Sequence, residues 1–559
     1  MVQRLLGWLN REWGSLHQAA FLLSVSALGS QFLALIRDRL LAAKFGAGSE
    51  LDIYYAAFRI PDLLYVSLGS VVSVTILIPF IVERLKGDDH SVVRHFLDSL
   101  FSAFLLVMVP LIIILWFLAP FLASRVAPGF DSAALDKLTM MMRILLLSPL
   151  LLGLSNLFGS ITQSINKFLI YALCPLLYNV GIILGIIFFY PTFGLSGLGF
   201  GVALGAFLHG AIQLPGIRAS QLLPRFTRRI IWPDIWPVLI ISLPRTLTLG
   251  ANQLALLVLV AFATFFGAGS VAVFNFAFNL QSVPQAIIGI SYSVAAFPLL
   301  VRLFSNGEKK EFVDQMINAM RHILFWSIPA TVLFVVLRAQ IVRVILGAGR
   351  FDWQDTRLTA AAIALFVVSL VGQNLILLFV RAYYAAGQTR RPLVLNVCAS
   401  FLIIMIAWFL LRLNLTTFFG WNLFERLLRV DGLANTAVLI LPLAFSLGVF
   451  VNVILFWWFF QKDFGRFPKV VDRAIAQSLI ASLLAGLVSY QTLNWSARVL
   501  NLDTSLGILT QGLTAGFLGL AILIITLRYF QNKEIGEIEK ALREKLWRTK
   551  AIAPEPEGL

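Results

Sequence analysis

The chain has 559 residues, of which 59% are hydrophobic and only 13% charged, a composition that does not fit a water-soluble surface. Its formal net charge of +16, from 44 Lys+Arg against 28 Asp+Glu, would suggest nucleic acid in a soluble protein. In a membrane protein the same excess belongs to cytoplasmic loops, where basic residues set orientation and meet anionic lipid, so no nucleic-acid partner is expected.

Long continuous apolar runs recur from residue 19 to residue 530, each near the roughly 20 residues that an α-helix needs to cross a bilayer. Because they are continuous rather than alternating, a transmembrane β-barrel is excluded and the fold class is all-α integral membrane. The first run follows Arg4 and Arg11 but passes into Leu35-Ile36-Arg37-Asp38 without a cleavage-type break, so it reads as the first span and not as a signal peptide. In chain order fourteen spans are expected, at 19–43, 53–82, 97–122, 139–163, 168–190, 196–215, 234–264, 271–301, 319–346, 357–386, 392–412, 433–460, 472–493 and 505–529. With the N-terminus inside, the cytoplasmic loops hold sixteen basic residues, from Arg84 to Lys469. The opposite loops hold six, from Lys44 to Arg498. That bias places both termini in the cytoplasm, which requires an even number of spans.

Two segments outside the spans are amphipathic. Residues 419–431 interleave aromatics with charge in the manner of a helix lying on the outer interface. In the tail, Ile535, Ile538, Leu542 and Leu546 recur at helical spacing among Lys and Glu, and the last residues, Ala-Pro-Glu-Pro-Glu-Gly-Leu, are expected to be disordered. Cys174 and Cys398 both lie inside apolar runs, where they read as small hydrophobes and not as metal ligands or a disulfide.

Phe-Gly-Ala-Gly-Ser occurs at 45–49 and again at 266–270, an offset of 266 − 45 = 221, and Phe130-Asp131 pairs with Phe351-Asp352 at the same offset. Asn166-Lys167 and Gln388-Thr389 follow at 222, and the cysteines lie 224 apart. Collinear matches imply that spans one to six are repeated by spans seven to twelve. Six is even, so the copies are parallel, an arrangement of two lobes around a central cavity that transporters use for alternating access. The expected division is 1–230 and 231–462 for the lobes, 463–530 for spans thirteen and fourteen, and 531–559 for a cytoplasmic tail.

Ionisable residues inside spans are costly and therefore functional candidates. Span one carries Arg37 and Asp38 beside Gln31, with Ser30, Ala34 and Arg37 on one face. Asp52, Tyr55, Arg59 and Asp62 form a stripe across Pro61 in span two. Arg245, Thr248 and Asn252 share a face of span seven, and Asn275, Asn279 and Ser282 one of span eight. Two uses compete for the acidic members: pairing with Arg37 and Arg59 to lock helices together, or lining a site. No Walker A loop, His-Glu-x-x-His pair or Ser/His/Asp arrangement is present, so an enzyme is not expected and transport would draw on a gradient.

In four stretches the chain resembles the MurJ/MviN family of lipid II flippases, within the multidrug/oligosaccharidyl-lipid/polysaccharide exporter superfamily. They are Ile36-Arg37-Asp38 with Phe45-Gly46-Ala47-Gly48; Asp52 with Ala57-Phe58-Arg59-Ile60-Pro61-Asp62; Gly349-Arg350-Phe351-Asp352 with Asp355-Thr356; and Arg381-Ala382-Tyr383-Tyr384-Ala385 through Gln388-Thr389-Arg390-Arg391-Pro392. Three positions where that family carries cavity arginines hold Gln31, Tyr65 and Asn279 here, leaving Arg37, Arg59 and Arg245. The Asp and Asn side chains of the family's sodium site have no counterpart between Leu393 and Leu411. The resemblance implies a monomer in a bacterial inner membrane, without cofactor, that moves an undecaprenyl-linked peptidoglycan precursor from the inner to the outer leaflet. The lipid tail would lie against spans thirteen and fourteen, and the coupling cation stays open. A flippase for another polyprenyl-linked oligosaccharide, or a transport-inactive scaffold, are the alternatives that the missing arginines leave.

Overall fold

The computed structural model describes residues 16–69, 74–85, 90–413, 419–467, 470–537 and 540. Arg4, Arg11, Lys86, Lys469, Ile538, Leu542, Leu546 and the final seven residues, all used above, lie outside them. Among the described residues every regular element is helical, as buried or lipid-facing backbone requires when no water is present to satisfy its polar groups.

Among the described residues eleven helices are long and apolar enough to cross a membrane, or twelve when the pair Trp353–Val368 and Leu370–Ala385, bent by 42°, counts as one. These coincide with expected spans three to fourteen, so the described residues do not reach the count of fourteen by that measure. The first two expected spans fall on the thirty-residue helix Leu16–Phe45 and on a run broken into Ser49–Ala57, Arg59–Leu64, a π-helical turn Tyr65–Gly69 and Val74–Leu85. Most spans overrun the expected limits because polar ends continue the helix past the apolar core, as in His90–Val126 and Lys309–Ile345.

The 221-residue repeat extends to the backbone, in part at positions that carry no shared sequence. A π-helical turn occupies Tyr65–Gly69 in span two and Ala286–Ile290 in span eight, and 286 − 65 = 221. Asn166 and Gly387, again 221 apart, both adopt positive φ, at 58° and 70°, in the turns that precede spans five and eleven. Asp131 Oδ1 accepts the Ala134 N–H at 2.8 Å, and Asp352 Oδ1 accepts the Asp355 N–H at 2.8 Å. These are the N-caps of spans four and ten, each satisfying a donor that a helix start leaves open.

The chain divides into two compact units. One comprises residues 1–280, 345–366 and 388–452; the other comprises 281–344, 367–387 and 453–559. Inside the first, spans five and six, Phe168–Leu184 and Leu195–Ala211, approach at glycine. A methyl group on Gly185 would lie 2.5 Å from the Cα of Gly201, and Gly181 faces Gly205 one turn away. Four-residue spacing of small residues lets two backbones meet where hydrocarbon offers no hydrophobic drive to association.

Inside the second unit, Ser369 sits at the break of span ten, and its Oγ accepts from Gln373 Nε2 at 3.0 Å. The same amide nitrogen donates to Gln281 Oε1 at 3.2 Å, and Asn374 Nδ2 donates to Ser327 Oγ at 2.8 Å. Spans thirteen and fourteen, Val470–Ser496 and Ser505–Tyr529, form a hairpin whose Ser489 donates to the Ala515 carbonyl at 2.9 Å. The expected tail helix is seen at its start, where Glu534 pairs with Arg321 at 2.5 Å and Glu537 with His322 at 3.1 Å.

Candidate functional site

Span one places Arg37 and Asp38 two to three turns before its end, deep in an apolar helix. Arg37 donates from Nε and Nη2 to Asp38 Oδ1 at 2.9 and 2.8 Å, and from Nη1 to Asn179 Oδ1 of span five at 3.0 Å. Asn179 Nδ2 in turn donates to Ser30 Oγ at 3.2 Å, so Ser30 and Arg37, predicted to share a face, are joined through a residue the sequence did not single out. The remaining oxygen of Asp38 accepts from Asn279 Nδ2 of span eight at 3.2 Å. Asp38 is buried, and a buried carboxylate requires this set of partners.

Asp52 does not join that cluster. Its Oδ2 accepts the Gly269 N–H at 2.6 Å and its Oδ1 the Ala272 N–H at 2.8 Å. These are the open donors at the start of span eight, Ser270–Gln285, so a carboxylate from span two caps a helix 217 residues away in sequence and meets the positive end of its dipole. The reciprocal loop is treated alike: Asp355 Oδ2 of span ten accepts the Ala47 N–H at 3.0 Å, just before Ser49–Ala57. Both Phe-Gly-Ala-Gly-Ser copies thus present helix starts to aspartates of the other half of the repeat. Next to them is a hollow of about 180 Å³ lined by Ala47, Ala268, Gly269, Asp355 and Asn435, among others.

Arg59 is buried and donates from Nη2 to Asn275 Oδ1 of span eight. Its Nε and the buried Tyr55 hydroxyl have no hydrogen-bond partner among the described residues. The stripe predicted on span two therefore separates by role: Asp52 goes to backbone, Arg59 to an amide. Arg245 is half-buried on span seven, Thr248 binds back to the Pro244 carbonyl at 2.9 Å, and Asn252 is exposed. Gln31 is half-buried beside Ser30. Tyr65, one of the neutral residues at a family arginine position, accepts from Asn156 Nδ2 of span four at 3.1 Å through its hydroxyl.

The structure thus brings Arg37, Asp38, Asn279, Ser30 and Asn179 into one cluster and Arg59 and Asn275 into a second. Sequence reasoning missed Asn179 and Asn156, single amides inside apolar runs, a signal that was open to use, and it singled out Asp355 only within a family motif, without a role. Formally, Arg37 and Arg59 stand against Asp38, Asp52 and Asp62, +2 − 3 = −1, so a site for an anionic group here depends on which carboxylates are already committed.

A family model described as "Lipid II flippase MurJ" matches residues 41–506. Among curated proteins, the chain is 24% identical over 542 residues to the "Probable lipid II flippase MurJ" of Rhizobium tropici, covering 93% of this chain and 95% of the relative. It is 24% identical over 386 residues to the "Lipid II flippase MurJ" of Burkholderia cenocepacia, covering 68% and 75%. Among solved structures it is similar to "Lipid II flippase MurJ, inward closed conformation", with a TM-score of 0.73 at 22% identity over 92% of this chain and 100% of that one. It is also similar to an inward-facing multidrug resistance MATE family transporter, with a TM-score of 0.61 at 16% identity over 79% and 96%.

Proposed function

The chain belongs to the lipid II flippase MurJ family, and from that premise we propose that it moves lipid II across a bacterial inner membrane as a transporter and not as a catalyst. The observation that carries the reading is the match of the family model to most of the chain, with relatives of nearly equal length bearing the same description. The finer statements are ours as well. Movement runs from the inner to the outer leaflet, both termini are cytoplasmic, and the six-span halves alternate access under a gradient as a monomer.

Chemistry supports the assignment of roles. A sugar-diphosphate head needs charged donors, and Arg59, whose buried Nε–H has no partner among the described residues, offers one that is not already consumed. Arg37 is consumed by Asp38, so we assign it to holding span one against spans five and eight, with Asn279 and Asn179 as the clasp. Arg245, on span seven, supplies the further positive charge, with Gln31 and Asn252 as neutral donors to the sugars. Asp52 contributes by fixing the start of span eight and thereby Asn275 and Asn279 one to two turns on.

The neutral residues at Gln31, Tyr65 and Asn279, with Tyr65 tied to span four, favour as a second reading another polyprenyl-diphosphate-linked glycan. Native mass spectrometry of the purified protein with lipid II and with a polyprenyl-diphosphate glycan lacking the peptide separates the two. The proposal expects lipid II to bind and Arg59→Ala to weaken it roughly tenfold to a hundredfold, the effect of about 1.5–3 kcal/mol for a charge-assisted contact. Equal retention of lipid II by the wild type and the variant would overturn the role of Arg59, and exclusive retention of the other glycan would overturn the substrate.

A further inference from the structure

Between spans eleven and twelve lies the helix Phe419–Leu428, whose two faces have opposite environments. Trp421 is buried, and its Nε1–H donates to Glu425 Oε1 at 2.8 Å. The same carboxylate oxygen accepts from the hydroxyl of Thr436, in the first turn of span twelve, at 2.5 Å. On the other side, Leu423 and Leu427, four residues apart and therefore on one face, are 61% and 70% exposed.

Two observations fix what meets that face. The helix is pinned through Glu425 to the start of span twelve, so it lies at the level where the chain re-enters the membrane. Span eleven, Arg390–Arg412, ends at the same surface and carries an exposed apolar stripe of Phe401, Met405 and Trp408, which on a spanning helix is covered by hydrocarbon. Near its end the Arg412 guanidinium sits 5.5 Å from the Trp408 ring centroid, the pairing of an aromatic and a basic residue that marks the headgroup level. Beyond that mark in the chain the exposed leucines add further apolar surface, with Asn422 and Arg426 exposed beside them.

We propose that the helix Phe419–Leu428 rests in the interfacial layer of the bilayer, with Leu423 and Leu427 among the outer parts of the acyl chains and Arg426 at the phosphates. The seat also bears on the candidate site's neighbourhood. The loop that leaves the helix is held by Arg357, whose Nε donates to the Arg429 carbonyl at 2.7 Å, and it delivers Asn435, in the left-handed region at φ 62°, to the Ala268 carbonyl at 3.3 Å. Ala268 precedes the helix start that Asp52 caps. A lipid-seated helix therefore holds the loop before span eight through two short connections.

The test uses the full chain in vesicles of phosphatidylethanolamine and phosphatidylglycerol, in a Cys398→Ser background because Cys398 is exposed whereas Cys174 is buried. Single nitroxides at 423, 427, 422 and 426 are compared for collision with oxygen, which concentrates in hydrocarbon, and with a water-soluble nickel chelate. The expected result is an oxygen-to-nickel ratio several-fold higher at 423 and 427 than at 422 and 426. A Leu427→Trp variant quenched more strongly by lipids brominated on their acyl chains than the parent gives the same reading without a nitroxide. Greater collision with nickel at 423 and 427 would overturn the proposal in favour of a water-exposed helix. Shielding from both reagents would overturn it in favour of a protein partner or a second copy of the chain.

Discussion

Arg37 and Arg59 looked alike in the sequence, each an arginine near an aspartate in a membrane span, but the structure gives them different partners and so different expected phenotypes. Replacing Arg37 by Ala leaves Asp38 buried with, among the described residues, Asn279 alone to answer it, and stranding one member of a buried pair costs on the order of 3–5 kcal/mol. The expected outcome is poor accumulation of Arg37→Ala, recovered in Arg37→Ala/Asp38→Asn; quantitative immunoblotting of membranes checks it, and equal loss in the double variant would contradict it. Arg59→Ala, by contrast, should accumulate normally and lose transport. For Arg245 the expectation is compensation: Arg245→Gln lowers transport, and adding Asn279→Arg restores part of it. Full transport by the single Gln variant would dismiss that role. Asp52→Ala removes a cap, for a cost of about 1–2 kcal/mol, and Asp52→Asn retains one acceptor and should lose less; melting temperatures in detergent order the three proteins. The part played by Asp52 was hidden in the sequence because its partners are backbone groups 217 and 220 residues away. A trace existed: the helix at Ser270 starts after Gly-Ala-Gly, with no side chain of its own to cap it, so a cap had to come from elsewhere.

At the level of helices, the spans were readable because hydrophobic runs of about 20 residues leave little choice of structure. Their interruptions were less so. At the π-helical turn Tyr65–Gly69 the Asn156 amide of span four donates to the Gly69 carbonyl at 3.4 Å, and before the break at Ser369 the Thr331 hydroxyl of span nine donates to the Val367 carbonyl at 3.3 Å, so neighbouring spans re-satisfy backbone there, information that local pattern does not contain. Glycine contacts occupy a middle ground. Gly181 and Gly185 show the four-residue spacing in the sequence, and only the structure supplies Gly205 and Gly201 as their partners. Gly201→Val puts a branched side chain where not even a methyl group fits against the Gly185 backbone, so it should cost several kcal/mol and prevent stable accumulation, whereas the same change at the exposed Gly536, where an added side chain meets nothing within 4 Å, should not. Normal levels of Gly201→Val would show that spans five and six are not packed as described.

Across the whole molecule, the repeat was found from a handful of matching residues and then reappears in features with no sequence identity, at Tyr65 and Ala286 and at Asn166 and Gly387, beside the caps made by the matching Asp131 and Asp352. Backbone geometry outlasts side-chain identity because each half must still bend, turn and cap at the same depth. The orientation assigned from loop charge makes its own prediction. A cysteine placed at Lys310 should react with an impermeant thiol reagent only after cells are opened, and one at Arg426 should react in intact cells; the reverse pattern would invert the topology. Substrate choice was the least legible property, since it rests on a few positions where neutral residues stand and on how Asp38 and Asp52 are already engaged. The most direct measurement of the central claim is the exposure of lipid II in the outer leaflet of cells in which this chain is the sole flippase, read by cleavage with an externally added lipid II hydrolase. The account predicts cleavage that continues while the chain is expressed and falls on its depletion or with Arg59→Ala in its place; undiminished cleavage after depletion, in cells that still make lipid II, would contradict it.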